Sequence, residues 1–202
     1  MSNKAKNILI AVAIAVVAAA GCASCISGKY NALVALDEKV TAQWAQVENQ
    51  YQRRYDLIPN IVSTVKGAAA HEAEVFTQVA EARAQAGGVL HVDASILDDE
   101  QKFAEFQKIQ DTLGGALQRL LSVTENYPEL KANANFLSLQ DELEGTENRI
   151  AVARKNYNET AQSYNTAIRR FPDTLIAGRF GFKAKAYFSA AQEAQSAPKV
   201  EF

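Results

Sequence analysis

One row of residues constrains this chain more than any other feature. Phe136, Leu143, Ile150, Tyr157, Tyr164 and Phe171 recur at every seventh position. Three residues after each of the first five stand Leu139, Thr146, Ala153, Thr160 and Ala167. A large row beside a mostly small one, at a mean spacing of about 3.5 residues, suits helices packed knobs-into-holes. A strand repeats every second residue, and no useful length of this chain alternates in that way. The row predicts a helix over 129–170, about 63 Å long.

Three further segments carry the same periodicity. Leu33, Val40 and Val47, flanked by Leu36, Trp44 and Tyr51, predict a helix over 30–55. Asp56 reads as the N-cap of the next, with Pro59 tolerated in its first turn. Ile58, Val65, Glu72, Val79 and Ala86 continue at sevens until Gly87-Gly88 ends it. After a connection over 89–97, Asp98 or Asp99 caps a third helix, faced by Phe103, Phe106, Leu113, Leu117 and Leu120. Gly114-Gly115 in its middle costs about 1 kcal/mol each relative to Ala. The pair marks either a kink or the close approach of a neighbour. The expected fold class is all-α: an N-terminal membrane helix, then an elongated antiparallel four-helix bundle with a short C-terminal tail. The expected divisions are 1–29, 30–171 and 172–202.

No charge occurs from Ile8 to Ile26. Those residues span about 28 Å as a helix, close to the hydrocarbon thickness of a bilayer. Ile8, Leu9, Ile10, Val12, Ile14, Val16 and Val17 supply its apolar bulk. A retained transmembrane helix is one reading. The other is a signal peptide with Lys4 and Lys6 as its basic start and Cys22 lipidated, although Ala19 stands where a larger aliphatic residue is usual. Either way the chain is membrane-tethered, single-pass or lipid-anchored. Lys4 and Lys6 on one side nearly balance Lys29 and Lys39 on the other, so orientation is weakly encoded. The signal-like layout tips the bundle toward the exported side. Cys22 and Cys25 lie within the apolar run, as small residues of a membrane helix rather than a redox pair.

Catalytic and metal-binding classes find little support. His71-Glu72 opens like a zinc-protease helix motif, but Val75 occupies the second ligand position. His91 is distant, no phosphate-binding loop follows Gly87-Gly88, and no metal or cofactor is expected. The formal net charge of −2 argues against a nucleic-acid partner.

Longer motifs are recognisable in order. Trp44-Ala45-Gln46-Val47-Glu48-Asn49-Gln50-Tyr51-Gln52-Arg53-Arg54 runs into Asp56-Leu57-Ile58-Pro59-Asn60. Tyr127-Pro128-Glu129-Leu130-Lys131 and Leu143-Glu144-Gly145-Thr146-Glu147-Asn148-Arg149-Ile150 follow. Tyr157-Asn158, Tyr164-Asn165 and Phe171-Pro172 close the series. Over about residues 30–188 the chain resembles the bacterial LemA family. The resemblance implies a short membrane anchor, an antiparallel helical bundle and no established enzymatic activity. It also takes in proteins of intracellular membrane organelles such as magnetosomes.

Two sets of polar residues invite a role. Glu48, Asn49, Gln50, Arg53 and Arg54 lie near the Asp56 turn, and Glu144, Glu147, Asn148 and Arg149 lie mid-way along the last helix. Pairing across helices would fix their register at some cost in stability. A double-mutant cycle at Arg53 and Glu144 is the natural test. The repeated Asn156, Asn158 and Asn165 suggest interhelical hydrogen bonds or a recognition surface. The tail is the third candidate. Arg169, Arg170, Arg179, Lys183 and Lys185 face Asp173 alone, a formal +4. Phe180 and Phe182 stand among them. These residues either fold back on the bundle or meet lipid headgroups or a second subunit. The function expected from all this is a non-enzymatic membrane-anchored scaffold that self-assembles as a homo-oligomer. The alternative is a monomeric tethered module binding an envelope protein or ligand.

Overall fold

The computed structural model describes residues 3–69, 71–90 and 93–189, except the side chains of residues 3–6, 8, 9 and 11. The side chains of Ile8 and Leu9, His91, and the end of the tail at 190–202 therefore lie outside the described residues. All regular structure is helical, and no strand occurs among the described residues. Helix α1 is Asn3–Ala68, α2 is Ala73–Gly87, α3 is Glu100–Thr124, α4 is Pro128–Lys131, α5 is Ala134–Arg169 and α6 is Asp173–Phe180. A 3-10 turn, Ala94–Asp98, precedes α3. A strap of residues 182–189 follows α6.

The expected break at Asp56 is absent. Helix α1 continues through Pro59 for 66 residues, about 99 Å. Asp56 is an ordinary surface position whose carboxylate accepts a hydrogen bond from Gln52 at 2.8 Å. A proline inside a helix removes one backbone bond and costs about 3 kcal/mol. Leu57, Ile58, Ile61 and Val65 are all buried around it. Their burial, at about 1.5–3 kcal/mol each, outweighs the local penalty. The chain turns instead between Ala68 and Ala73, so the expected second helix is divided. Ile58 and Val65 ride on α1, Val79 and Ala86 on α2, and all four are buried. Glu72 sits in the turn, where its carboxylate accepts the Tyr127 hydroxyl at 3.0 Å. Pro59 is exposed, so Pro59→Ala is expected to raise stability by about 1–3 kcal/mol in urea unfolding. A loss of stability would show that the proline itself is needed for packing.

Side-chain caps start the later helices. Asp99, not Asp98, accepts the Gln101 and Lys102 amides at 3.1 Å and begins α3. Asn133 accepts the Asn135 and Phe136 amides and begins α5. The expected 129–170 helix is thus split into α4 and α5. Contacts descend along α5 and α6 as they ascend along α1: Lys29 meets Asp173, Tyr51 meets Arg154 and Arg53 meets Glu142.

The core forms two clusters. One is aromatic, with Trp44, Tyr51, Phe103, Phe106, Tyr157 and Phe188 in mutual ring contact. The other is aliphatic, around Ile58, Ile61, Val65, Leu113, Leu117, Leu120 and Leu143. Five members of the heptad row are buried. The sixth, Phe171, is 76% exposed because α5 stops at Arg169. At the N-terminal end of α1, Ile10, Val12, Ile14, Val16, Val17, Cys22 and Cys25 are all exposed, with no protein packed over them.

Candidate functional site: a three-helix rivet, a clamped strap and a basic collar

Arg54 joins three helices. Its side chain leaves α1 and is only 2% exposed. One terminal nitrogen donates to the Glu147 carboxylate on α5 at 3.2 Å. The other donates to both the carbonyl and the side-chain oxygen of Gln110 on α3, at 2.9 and 2.6 Å. The guanidinium carbon also lies 5.2 Å from the Tyr51 ring centre. Arg54 passes α3 beside Gly114, where a Cβ would come to 3.4 Å from Nη1, an ordinary van der Waals contact. Arg154 makes a second tie, donating to the Tyr51 hydroxyl and to Asp111, both at 2.7 Å.

The remaining polar candidates are dispersed. Arg53 pairs with Glu142 at 2.8 Å, so the partner suggested by the sequence, Glu144, is corrected. Glu144 is exposed and accepts from Gln140 one helical turn earlier on α5. Arg149 donates to Thr146 at 3.0 Å and lies along Gly145. Glu48 is half-buried and Asn49 exposed. Gln50, Asn148 and Arg149 share the lining of a shallow groove of about 340 Å³ with Gln43, Gln46 and Asn156.

The strap is held by its backbone. Asn165 donates to the Lys185 carbonyl and accepts the Lys185 amide, both at 2.8 Å. Asn158 treats Phe188 in the same way, both at 2.9 Å. Gln107, on α3, donates to the Ser189 carbonyl at 2.7 Å and accepts the Ser189 amide at 3.1 Å. The Ala186 amide goes to the Leu97 carbonyl at 2.8 Å, and the Ala186 carbonyl accepts the Tyr157 hydroxyl at 3.0 Å. The spacing explains the repeated asparagine. Seven helical residues rise about 10.5 Å, and three extended residues span about 10 Å, so Asn158 and Asn165 meet Phe188 and Lys185 in register. Gln107 carried no signal in the sequence, because its partner is backbone and leaves no mark in residue type.

The basic tail divides into two environments. Lys185 is drawn inward, with its ammonium 2.9 Å from Asp37 and 2.8 Å from Asp98. Those two carboxylates outweigh the cost of burial and raise its pKa. Phe182 is half-buried, 5.7 Å from the Tyr30 ring. Arg169, Arg170, Arg179, Phe180 and Lys183 are exposed. They gather where α6 meets α1, with Asp173 paired to Lys29 at 3.1 Å and the Phe180 ring 4.9 Å from Tyr30.

The buried tyrosines make the fold sensitive to alkali. Burial pushes the hydroxyls of Tyr51 and Tyr157 above the ordinary value of 10.0. In the unfolded chain they ionise near pH 10, while in the fold they keep their protons to higher pH. Their contribution is complete below pH 10 and is lost as pH rises above it, at up to about 1.4 kcal/mol per pH unit for each. Urea unfolding at pH 9, 10 and 11 is expected to show a falling midpoint, with a shallower fall in Tyr157→Phe. An unchanged slope in that variant would remove Tyr157 from the account.

Among the described residues no cluster of three His, Cys, Asp or Glu side chains is arranged to hold a metal ion. The sequence model of the LemA family matches residues 43–202. Magnetosome protein MamQ 2 and Magnetosome protein MamQ 1 of Paramagnetospirillum magneticum are each 28% identical over 178 aligned residues. Magnetosome protein MamQ of Magnetospirillum gryphiswaldense is 27% identical over the same length. Each match covers 79% of this chain and 64% of the relative, so the chain spans just under two thirds of the curated relatives it matches.

Proposed function

This chain belongs to the LemA family, and from that premise we propose that it is a non-enzymatic membrane-anchored scaffold, an elongated antiparallel four-helix bundle that self-assembles at the bilayer surface. The observation that carries the reading is the continuity of α1. Its N-terminal part is apolar and exposed, and its C-terminal part supplies Trp44, Tyr51 and Ile58 to the core. An uncharged run of 19 residues whose described side chains are exposed needs another apolar phase, and a bilayer matches its length. A single pass then holds the bundle at the surface, on the exported side. A tether confines copies to a plane and raises their effective concentration, so weak lateral contacts suffice for assembly. The relatives' organelle role is not carried over.

Cross-linking of the full chain in its native membranes tests the assembly. Ladders of this chain with itself are expected. A single band, or a one-to-one adduct with a different protein, overturns self-assembly and selects the monomeric binding module. Protease added to sealed cells stripped of their outer layers tests the side: cleavage of the bundle supports export, and full protection refutes it.

A further inference from the structure

We propose that the exposed face around α6 is a collar that sits in the anionic headgroup layer of the same membrane that α1 enters. This inference rests on the reading of α1 as a membrane span.

Position comes first. The apolar run of α1 ends at Ile26, and Lys29 and Tyr30 follow within about 6 Å along the helix axis. The interfacial layer on each side of the hydrocarbon is about 5–7 Å deep. Lys29 and Tyr30 thus fall at headgroup level, and they are the residues that fasten α6, through Asp173 and Phe180. The end of the bundle that carries α6 is held against the bilayer by contacts within the chain.

Composition comes second. Three large apolar side chains are largely exposed here: Phe171, Leu175 and Phe180, at 76%, 65% and 55% exposure. Arg169, Arg170, Arg179 and Lys183 are exposed beside them. Aromatic side chains among cations are the mixture that an interface between water, headgroups and acyl chains favours. Among the described residues, three acids of this region are engaged within the chain. Asp173 holds Lys29, and Asp37 and Asp98 hold Lys185. Each cation at an anionic surface weighs about fivefold in occupancy.

The test places the full chain, one copy per lipid nanodisc, with Cys22 and Cys25 replaced by Ser and a nitroxide on Leu175→Cys. A second sample carries the label on Val152→Cys, an exposed position on the middle of α5. Collisions with a water-soluble nickel chelate and with oxygen report depth. In discs containing phosphatidylglycerol, the Leu175 label is expected to lose chelate collisions several-fold relative to the Val152 label. Arg179→Gln with Lys183→Gln, or discs of phosphatidylcholine alone, should return much of that loss. Equal, fully aqueous collisions at both positions overturn the collar. Protection that arises only in discs holding two copies also overturns it, because the face is then a subunit contact. A chain that does not enter the discs overturns the span itself, a result distinct from a spanning chain whose collar stays in water.

Discussion

Ending the chain after Gly181 is expected to destabilise the bundle by about 5 kcal/mol or more, against a reference chain ended after Ser189. The largest share comes from Phe188. Its ring fills a space bounded by Trp44, Phe103 and Tyr157, at centroid distances of 6.2, 4.7 and 5.5 Å. Removing a phenylalanine from such a site costs about 3–5 kcal/mol, because the cavity refills only in part. Arg154 also loses the ring over which its guanidinium lies at 5.0 Å. The strap's hydrogen bonds add less. Once the groove opens, water reaches Asn158, Asn165 and Gln107, so each bond contributes about 1 kcal/mol. Removing Lys185 leaves Asp37 and Asp98, which both bind its ammonium, with no cation between them. Phe188→Ala alone should account for more than half of the effect, and Asn158→Ala for about 1 kcal/mol. Chemical denaturation followed by circular dichroism measures all of these. A truncated chain within 1 kcal/mol of the reference would mean that the strap merely covers the bundle.

Arg54→Ala is expected to cost about 3–5 kcal/mol. The guanidinium is almost wholly enclosed, and its partners belong to two other helices. Removing it leaves the Gln110 side-chain oxygen without its donor inside the bundle, while the Gln110 carbonyl keeps its bond within α3, and losing one partner is the expensive way to lose a buried pair. Glu147 is about 39% exposed at its side chain, so water can solvate it again. Arg54→Met separates volume from charge. It refills the space, keeps the unpaired Gln110, and should recover part of the loss. Gly114 supplies the complementary test. Gly114→Ala gains about 1 kcal/mol of helix propensity and its methyl only reaches ordinary contact with the guanidinium, so a net gain in stability is expected. Gly114→Leu carries a longer side chain beside Arg54 at the edge of the shallow groove between α3 and α5, and is expected to cost stability where Gly114→Ala gains it. Equal stability of Gly114→Leu and the parent chain would show that the arginine does not depend on this crossing.

The sequence made the helical class plain because the heptad rows report burial directly. Leu143, Ile150, Tyr157 and Tyr164 all lie in the core, as their spacing required. Helix ends were less legible. Pro59 and Asp56 are local stop signals, and local signals lose where four buried aliphatic side chains hold the backbone in place. The arginine was visible only as part of a polar motif. Its partners Gln110 and Glu147 lie 56 and 93 positions away, and no periodicity links them to it. The asparagines at 158 and 165 stood out by type and interval, yet their partners are amides and carbonyls that every residue possesses. Lys185 shows the same limit from the other side. By composition it belonged with its exposed basic neighbours, and only the fold brings Asp37 and Asp98 to it.

The unbroken α1 has a mechanical consequence. With its apolar end in a bilayer, as proposed, α1 would carry span and bundle on one helix, and a tilt imposed on the span would pass along it to the bundle. From Lys29 to Ala68 the helix forms a lever about 60 Å long, and a change of about 10° at its base moves the far tip by roughly 10 Å. Bilayer thickness, which sets the tilt of a span, would thereby set the height and heading of the tip. The turn between α1 and α2 would act as the pointer of a gauge whose scale is the membrane.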